Sequence, residues 1–129
     1  MWLLIGATFV VFLASGSIYL FLKHVQRSSA YLPKVGEFVQ QGKLDDAITI
    51  LKDTIRKNPY SAEAHAALGM IYNKKELLDD ALSELKMALK LKPDLITIYQ
   101  EMYLVYKKKG MEEEARSALD SYEKLRGIK

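Results

Sequence analysis

The chain has 129 residues, half of them hydrophobic, with 19 basic and 16 acidic side chains and a net charge of +3. It has no cysteine, which excludes disulfides, Cys-ligated zinc, c-type haem attachment and an acylated lipoprotein cysteine. The charge excess is local. Lys23, Arg27 and Lys34 carry it, and from Val35 onward 16 basic residues balance 16 acidic ones. A nucleic-acid-binding domain concentrates positive charge on one face of its body, so no nucleic acid is expected as a partner.

Residues 1–22 contain no Asp, Glu, Lys, Arg or His and are dense in Leu, Ile, Val and Phe. The 21 residues from Trp2 to Leu22, at a helical rise of 1.5 Å, cover about 31 Å, the thickness of a bilayer's hydrocarbon core. A helix satisfies its own backbone there. Trp2 at one end, and Tyr19 and Phe21 at the other, suit the two interfaces. The small residues Ala14-Ser15-Gly16 also fit a signal-peptidase site. Against cleavage, no basic residue precedes the apolar run, which continues past that site through Ile18-Tyr19-Leu20-Phe21-Leu22. The expectation is a retained transmembrane signal-anchor over 1–24, contacting the lipid bilayer through residues 2–22, followed by a basic juxtamembrane linker over 25–33.

Lys23 and Arg27 follow the span and no charged side chain precedes it. Basic flanks stay on the cytoplasmic side, so the expected topology is single-pass in an inner membrane, N-terminus out, with the remaining chain cytoplasmic. Small residues let membrane helices approach closely. Ala14 to Ser17 is therefore a candidate contact for a partner transmembrane helix, although four small residues in a row encircle a helix rather than line one face.

Beyond the span the sequence repeats itself every 34 residues without a gap. Windows 28–61, 62–95 and 96–129 place Ala47, Ala81 and Ala115 in register. They also align Leu51, Leu85 and Leu119; Phe38, Tyr72 and Tyr106; Tyr31, His65 and Tyr99; and Pro59, Pro93 and Gly127. The acidic pairs Asp45-Asp46, Asp79-Asp80 and Glu113-Glu114 align as well. The middle window, with Leu68-Gly69, Tyr72, Ala81, Ala88 and Pro93, resembles the tetratricopeptide repeat (TPR), with His65 in place of that family's usual leading Trp or Tyr. The resemblance implies an all-α fold: three tandem helix-turn-helix hairpins forming a right-handed α-solenoid, preceded by the one transmembrane helix.

The residues explain that pattern. Gly69 and Ala81 are small where paired helices would cross, and the aromatics fill the wedge between helices. Val35 and Tyr103 stand in Gly69's place, which predicts wider crossings in the outer units. Pro59 and Pro93 close their units, since proline cannot donate the next helical bond. Gly42 and Gly110 sit in the turns within hairpins, where a left-handed residue is needed. Pro33 is tolerable in the first turn of a helix, and a break or kink is expected around Ser28–Pro33, between the membrane helix and the first repeat. In Glu112–Arg126 the apolar Ala115, Ala118, Leu119, Tyr122 and Leu125 form a single stripe, the pattern of a last helix that caps its own solenoid.

No catalytic constellation is present. The acidic pairs recur at the start of each second helix, where they are expected to cap free N–H groups and favour the dipole's positive end. His65 occupies a packing position, His24 lies at the membrane boundary, and two unrelated histidines without cysteine make no nucleophile–base pair or metal set. Lys107-Lys108-Lys109 reads as a solvated helix end. The expectation is a non-enzyme without cofactor or metal.

In the family resembled, the first helices of the repeats line a concave groove that takes an extended or helical protein segment. Carried over by register, that groove presents Gly36, Val39 and Gln40; Glu63, Ala66, Met70, Asn73 and Lys74; and Gln100, Leu104, Lys107 and Lys108. One subclass grips a chaperone's C-terminal carboxylate with Lys, Asn and Arg. Here Leu32, Gly36, Ala67, Gln100 and Leu104 stand in those five places, so that clamp is not expected. The reading is a membrane adaptor or assembly scaffold. The alternatives are a permanent accessory subunit of a larger membrane complex, or an exported domain serving envelope or cytochrome assembly.

Overall fold

The computed structural model describes residues 31–127, and every regular element among them is a helix. Six occur in chain order: α1 Tyr31–Gln40, α2 Leu44–Lys57, α3 Ala62–Lys74, α4 Leu78–Leu91, α5 Ile96–Lys109 and α6 Glu112–Leu125. They pair as α1–α2, α3–α4 and α5–α6, and each hairpin packs on the next through α2–α3 and α4–α5. This is the stacked arrangement that the 34-residue period predicts. The expected anchor over 1–24, most of the linker and the patch Ala14–Ser17 lie outside the described residues. No described helix is long and apolar enough to cross a membrane.

The three turns within hairpins share one closure. The N–H of Lys43 reaches back to Phe38 O at 2.8 Å, Leu77 to Tyr72 O at 2.9 Å, and Met111 to Tyr106 O at 2.9 Å. Inside each of these bonds lies a second one, from Gly42 to Val39 O, Glu76 to Asn73 O and Gly110 to Lys107 O. The closure needs one left-handed residue. Gly42 and Gly110 meet that need at φ of 73° and 71°, as expected, but the middle turn uses Glu76 at φ 59°.

The middle hairpin is the closest-packed. A Cβ built on Gly69 would stand 2.8 Å from Leu85 Cγ and 3.1 Å from the Ala81 carbonyl oxygen. That position takes no other residue without movement of α4. In the outer hairpins Val35 and Tyr103 fill the same register, and Val35 is buried there against α2 and α3. Gly36, one residue on, faces open space.

The core forms two clusters that meet at α3. Val35, Ala47 and Leu51 pack with Ala64, Leu68 and Ile71 on one side. On the other, Ala66 joins α4 to α6 through residues such as Leu85, Ile98, Val105 and Ala115. Tyr72 borders both. Leu51, Leu68 and Leu85 are almost wholly enclosed, and each contributes about 1.5–3 kcal/mol by leaving water.

Three local expectations change. Tyr31 to Pro33 are helical, so the linker does not extend to 33 and the break is absent from that part. The acidic pairs do not cap. The residues preceding α2, α4 and α6 are Lys43, Leu77 and Met111, without a side-chain cap bond. Asp45-Asp46 and Asp79-Asp80 sit inside the first turn, where carboxylates act on the dipole. They also make a ladder between repeats, in which Lys75 pairs with Asp45 and, one unit later, Lys109 with Asp79. Finally, Leu125 at the end of the α6 stripe is 46% exposed, while Ala115 and Ala118 are buried as expected.

Candidate protein-binding groove

The first helices of the three hairpins, α1, α3 and α5, carry the predicted groove residues. Each helix buries some of these side chains in packing and leaves others exposed. From α1, Gly36 and Gln40 are exposed and Val39 is half-buried. From α3, Glu63, Met70 and Lys74 are exposed, but Ala66 and Asn73 are buried. From α5, Gln100, Leu104, Lys107 and Lys108 are exposed.

The large apolar members are the informative ones. Met70 is 39% exposed and Leu104 40%, at the same repeat register on α3 and α5. Gly36 holds that register on α1 and offers no side chain, but Leu32, one turn earlier, is 41% exposed. Leu32 is outside the predicted set and enters here through its exposure. Each first helix thus leaves one large apolar side chain in water.

Four of the polar members are paired, Asn73 and Lys108 with each other and Lys107 and Glu63 with side chains outside the predicted set. Asn73 donates its amide to Glu101 at 3.2 Å and accepts from Lys108 Nζ at 2.8 Å. Lys108 also bonds Glu76 at 2.9 Å. This network ties α3 to α5 through Asn73, Glu101 and Lys108. Nothing in the repeat pattern marks Glu101, the third member. Lys107 bonds both oxygens of Glu112 at 3.0 Å, and that carboxylate holds its ammonium pKa above the ordinary lysine value. At the opposite end Glu63 pairs with Lys92 at 3.3 Å.

His65 stands where the repeat pattern places Tyr in the neighbouring units. Its Nε2 donates to the Pro59 carbonyl at 3.0 Å, and Tyr99 makes the matching bond from its hydroxyl to Pro93 O at 3.1 Å. Tyr31, first in the series, lies 3.4 Å from Ser61 Oγ. Burial raises the Tyr31 hydroxyl pKa above its usual value, against the smaller opposing effect of the Ser61 bond. No group of three His, Asp or Glu side chains suited to a metal ion occurs among the described residues.

The arrangement offers a row of exposed apolar side chains on packed helices. A family model described as tetratricopeptide repeat matches residues 38–104, just over half of the chain. The chain belongs to the tetratricopeptide repeat family. Solved structures carry the same TPR fold. MamA aligns at 25% identity and a TM-score of 0.72 over 78% of this chain and 59% of that one. A point mutant of MamA gives 23% and 0.68 over 77% and 72%. The first TPR of Spaghetti (RPAP3), bound to the HSP90 peptide SRMEEVD, gives 19% and 0.75 over 81% and 82%. The chain spans little more than half of several of the MamA chains it matches. No curated protein sequence matches it. TPR domains are in general non-enzymatic modules for protein–protein interaction, and the described residues add nothing that departs from this.

Proposed function

We propose that this protein is a membrane-anchored TPR adaptor that holds an apolar or amphipathic protein segment in the groove formed by α1, α3 and α5. The observation that carries the reading is the exposure of Leu32, Met70 and Leu104, one from each first helix. A packed repeat has no internal use for such side chains, and exposed apolar surface in a groove suits an amphipathic helix or extended apolar peptide. Met70 adapts to different contacts because its side chain is flexible and polarisable.

The anchor rests on sequence. Twenty-one uncharged residues from Trp2 to Leu22 match a membrane span, and Lys23 and Arg27 behind them favour a cytoplasmic TPR domain at an inner membrane. Ala14 to Ser17 remains the place for a partner membrane helix. The acidic peptide in the Spaghetti complex is a poor model for the occupant here. Leu32, Gly36, Ala67, Gln100 and Leu104 supply no cation at the positions where a carboxylate clamp needs them.

Photo-crosslinking side chains placed at Met70 or Leu104 in the full chain, within its native membrane, test the reading. Capture of one protein at both positions supports it. Capture from the outer helices α2 and α4 alone, with none from the groove, overturns it.

A further inference from the structure

Antiparallel hairpins sort the chain's charges by edge. One edge of the stack collects the starts of α1, α3 and α5, the ends of α2, α4 and α6, and the loops between repeats. These are residues 31–34, 53–65, 88–99 and 122–127, with seven basic side chains against four acidic ones. The opposite edge, residues 37–47, 71–81 and 106–115, has six basic against nine acidic. A body neutral in total is therefore polarised, about +3 on one edge and −3 on the other. The cause is the placement of acids at the start, and bases at the end, of each second helix.

The positive edge is also where the N-terminal segment enters. Tyr31 opens α1 there, its hydroxyl 3.4 Å from Ser61 Oγ. Beside Ser61 stands Tyr60, 80% exposed, the most exposed large apolar or aromatic side chain among the described residues. Only residues 23–30 separate Tyr31 from the apolar run ending at Leu22, and eight residues reach at most roughly 29 Å when fully extended. With that run as the anchor, this edge is the one the tether holds to the membrane. Leu125, 46% exposed, adds an apolar contact on the same edge. Arg56 and Lys57 share Asp53, whose carboxyl pKa is held below the usual range by Lys57 first and then Arg56. Those acids are already included in the balance, and the surplus remains positive.

We propose that the inter-repeat edge lies against an anionic phospholipid surface, with Tyr60 at the headgroup level and the surplus of Lys and Arg facing lipid phosphate. Tyrosine partitions to that depth, and the cytoplasmic leaflet is the anionic one. The groove then opens sideways along the bilayer, with the acidic edge turned toward the cytoplasm. This placement rests on the anchor reading for its distance argument, while the charge argument stands apart from it.

The absence of cysteine allows single labels in the full chain. A nitroxide on Tyr60→Cys is expected to become at least about threefold less accessible to a water-soluble relaxant in vesicles with about one third phosphatidylglycerol than in phosphatidylcholine alone. The same label on Gln41→Cys, on the acidic edge, is expected not to change. Adding Lys57→Glu and Lys92→Glu to the Tyr60→Cys protein turns the edge negative and is expected to abolish the difference. Flotation separates the two readings. Binding to both vesicle types, with the Tyr60 difference, upholds anchor and edge together. Binding to the anionic vesicles alone defeats the anchor and upholds the edge. Equal aqueous exposure of both labels in anionic vesicles, or no binding to either vesicle, overturns the edge proposal.

Discussion

His65 Nδ1 lies 2.6 Å from Glu84 Oε2, so one ring nitrogen faces a carboxylate while the other donates to the Pro59 carbonyl. The ring therefore ties α4 and the inter-repeat loop to α3. Replacing it by Phe leaves a half-buried carboxylate and a carbonyl without their partner, at a cost of about 1–3 kcal/mol. His65→Tyr keeps the carbonyl bond in the way Tyr99 does and loses only the bond to Glu84. Urea titration is expected to rank the proteins wild type, His65→Tyr, His65→Phe; equal midpoints for all three would refute the assignment.

Two neighbouring registers give opposite expectations for one change. Gly69→Ala drives a methyl into Leu85 and the Ala81 carbonyl and is expected to cost about 1–3 kcal/mol through overpacking. Gly36→Ala meets nothing within 4 Å and is expected to stabilise by up to about 1 kcal/mol, since alanine is the better helix former. Thermal denaturation of both variants decides, and a shift of the same sign in each would be the failing result.

Glu76 occupies a left-handed turn that its two counterparts give to glycine. Glu76→Gly removes about 1 kcal/mol of backbone strain. It also gives up the exposed pair with Lys108, worth about 0.2–1 kcal/mol. The melting temperature is expected to hold or rise slightly, whereas Gly110→Ala, at φ 71°, should lower it. A fall for Glu76→Gly as large as that for Gly110→Ala would count against the strain argument.

Met70→Glu and Leu104→Glu place charge on exposed side chains and should leave the melting temperature nearly unchanged. Capture of the groove partner is expected to fall at least about tenfold for either one, because each buries a charge against an apolar segment. Asn73→Ala is the contrasting case. It frees Glu101 and Lys108 from their brace and should lower stability as well as binding.

The repeat architecture was readable in the sequence because a 34-residue period states which positions share a role. Gly42 and Gly110 announced turns through the backbone freedom of glycine, and Pro59 and Pro93 through the restriction of proline, each made specific by its place in the repeat. Glu76 was not readable, because a strained residue carries no compositional mark and only the register of its two glycine counterparts points to it. The acidic pairs stand where caps are expected, but the helices begin early enough to put the first acid of each pair two positions past the cap residue. Ala66, Asn73 and Lys108 were placed on the correct helices. Their burial or pairing depends on side chains one repeat away, such as Glu101, that the register leaves free to vary. Pro33 stands in the first turn of α1, where a helix tolerates proline, and the exposure of Leu32 beside it depends on packing that the repeat register does not state.

The two core clusters share only α3 and the ring of Tyr72 as common ground. Cohesion in such a chain passes from neighbour to neighbour rather than through one centre. The α1–α2 hairpin can then peel from α3 while the cluster around Leu85 and Val105 stays closed, and amide hydrogen exchange would register this as faster turnover in α1 and α2 than in α4 and α5. A pull on the N-terminus would be felt first at Tyr31 and Val35, and through them in the helix that carries Leu32 and Val39. Tension and occupancy of the groove would thereby oppose each other.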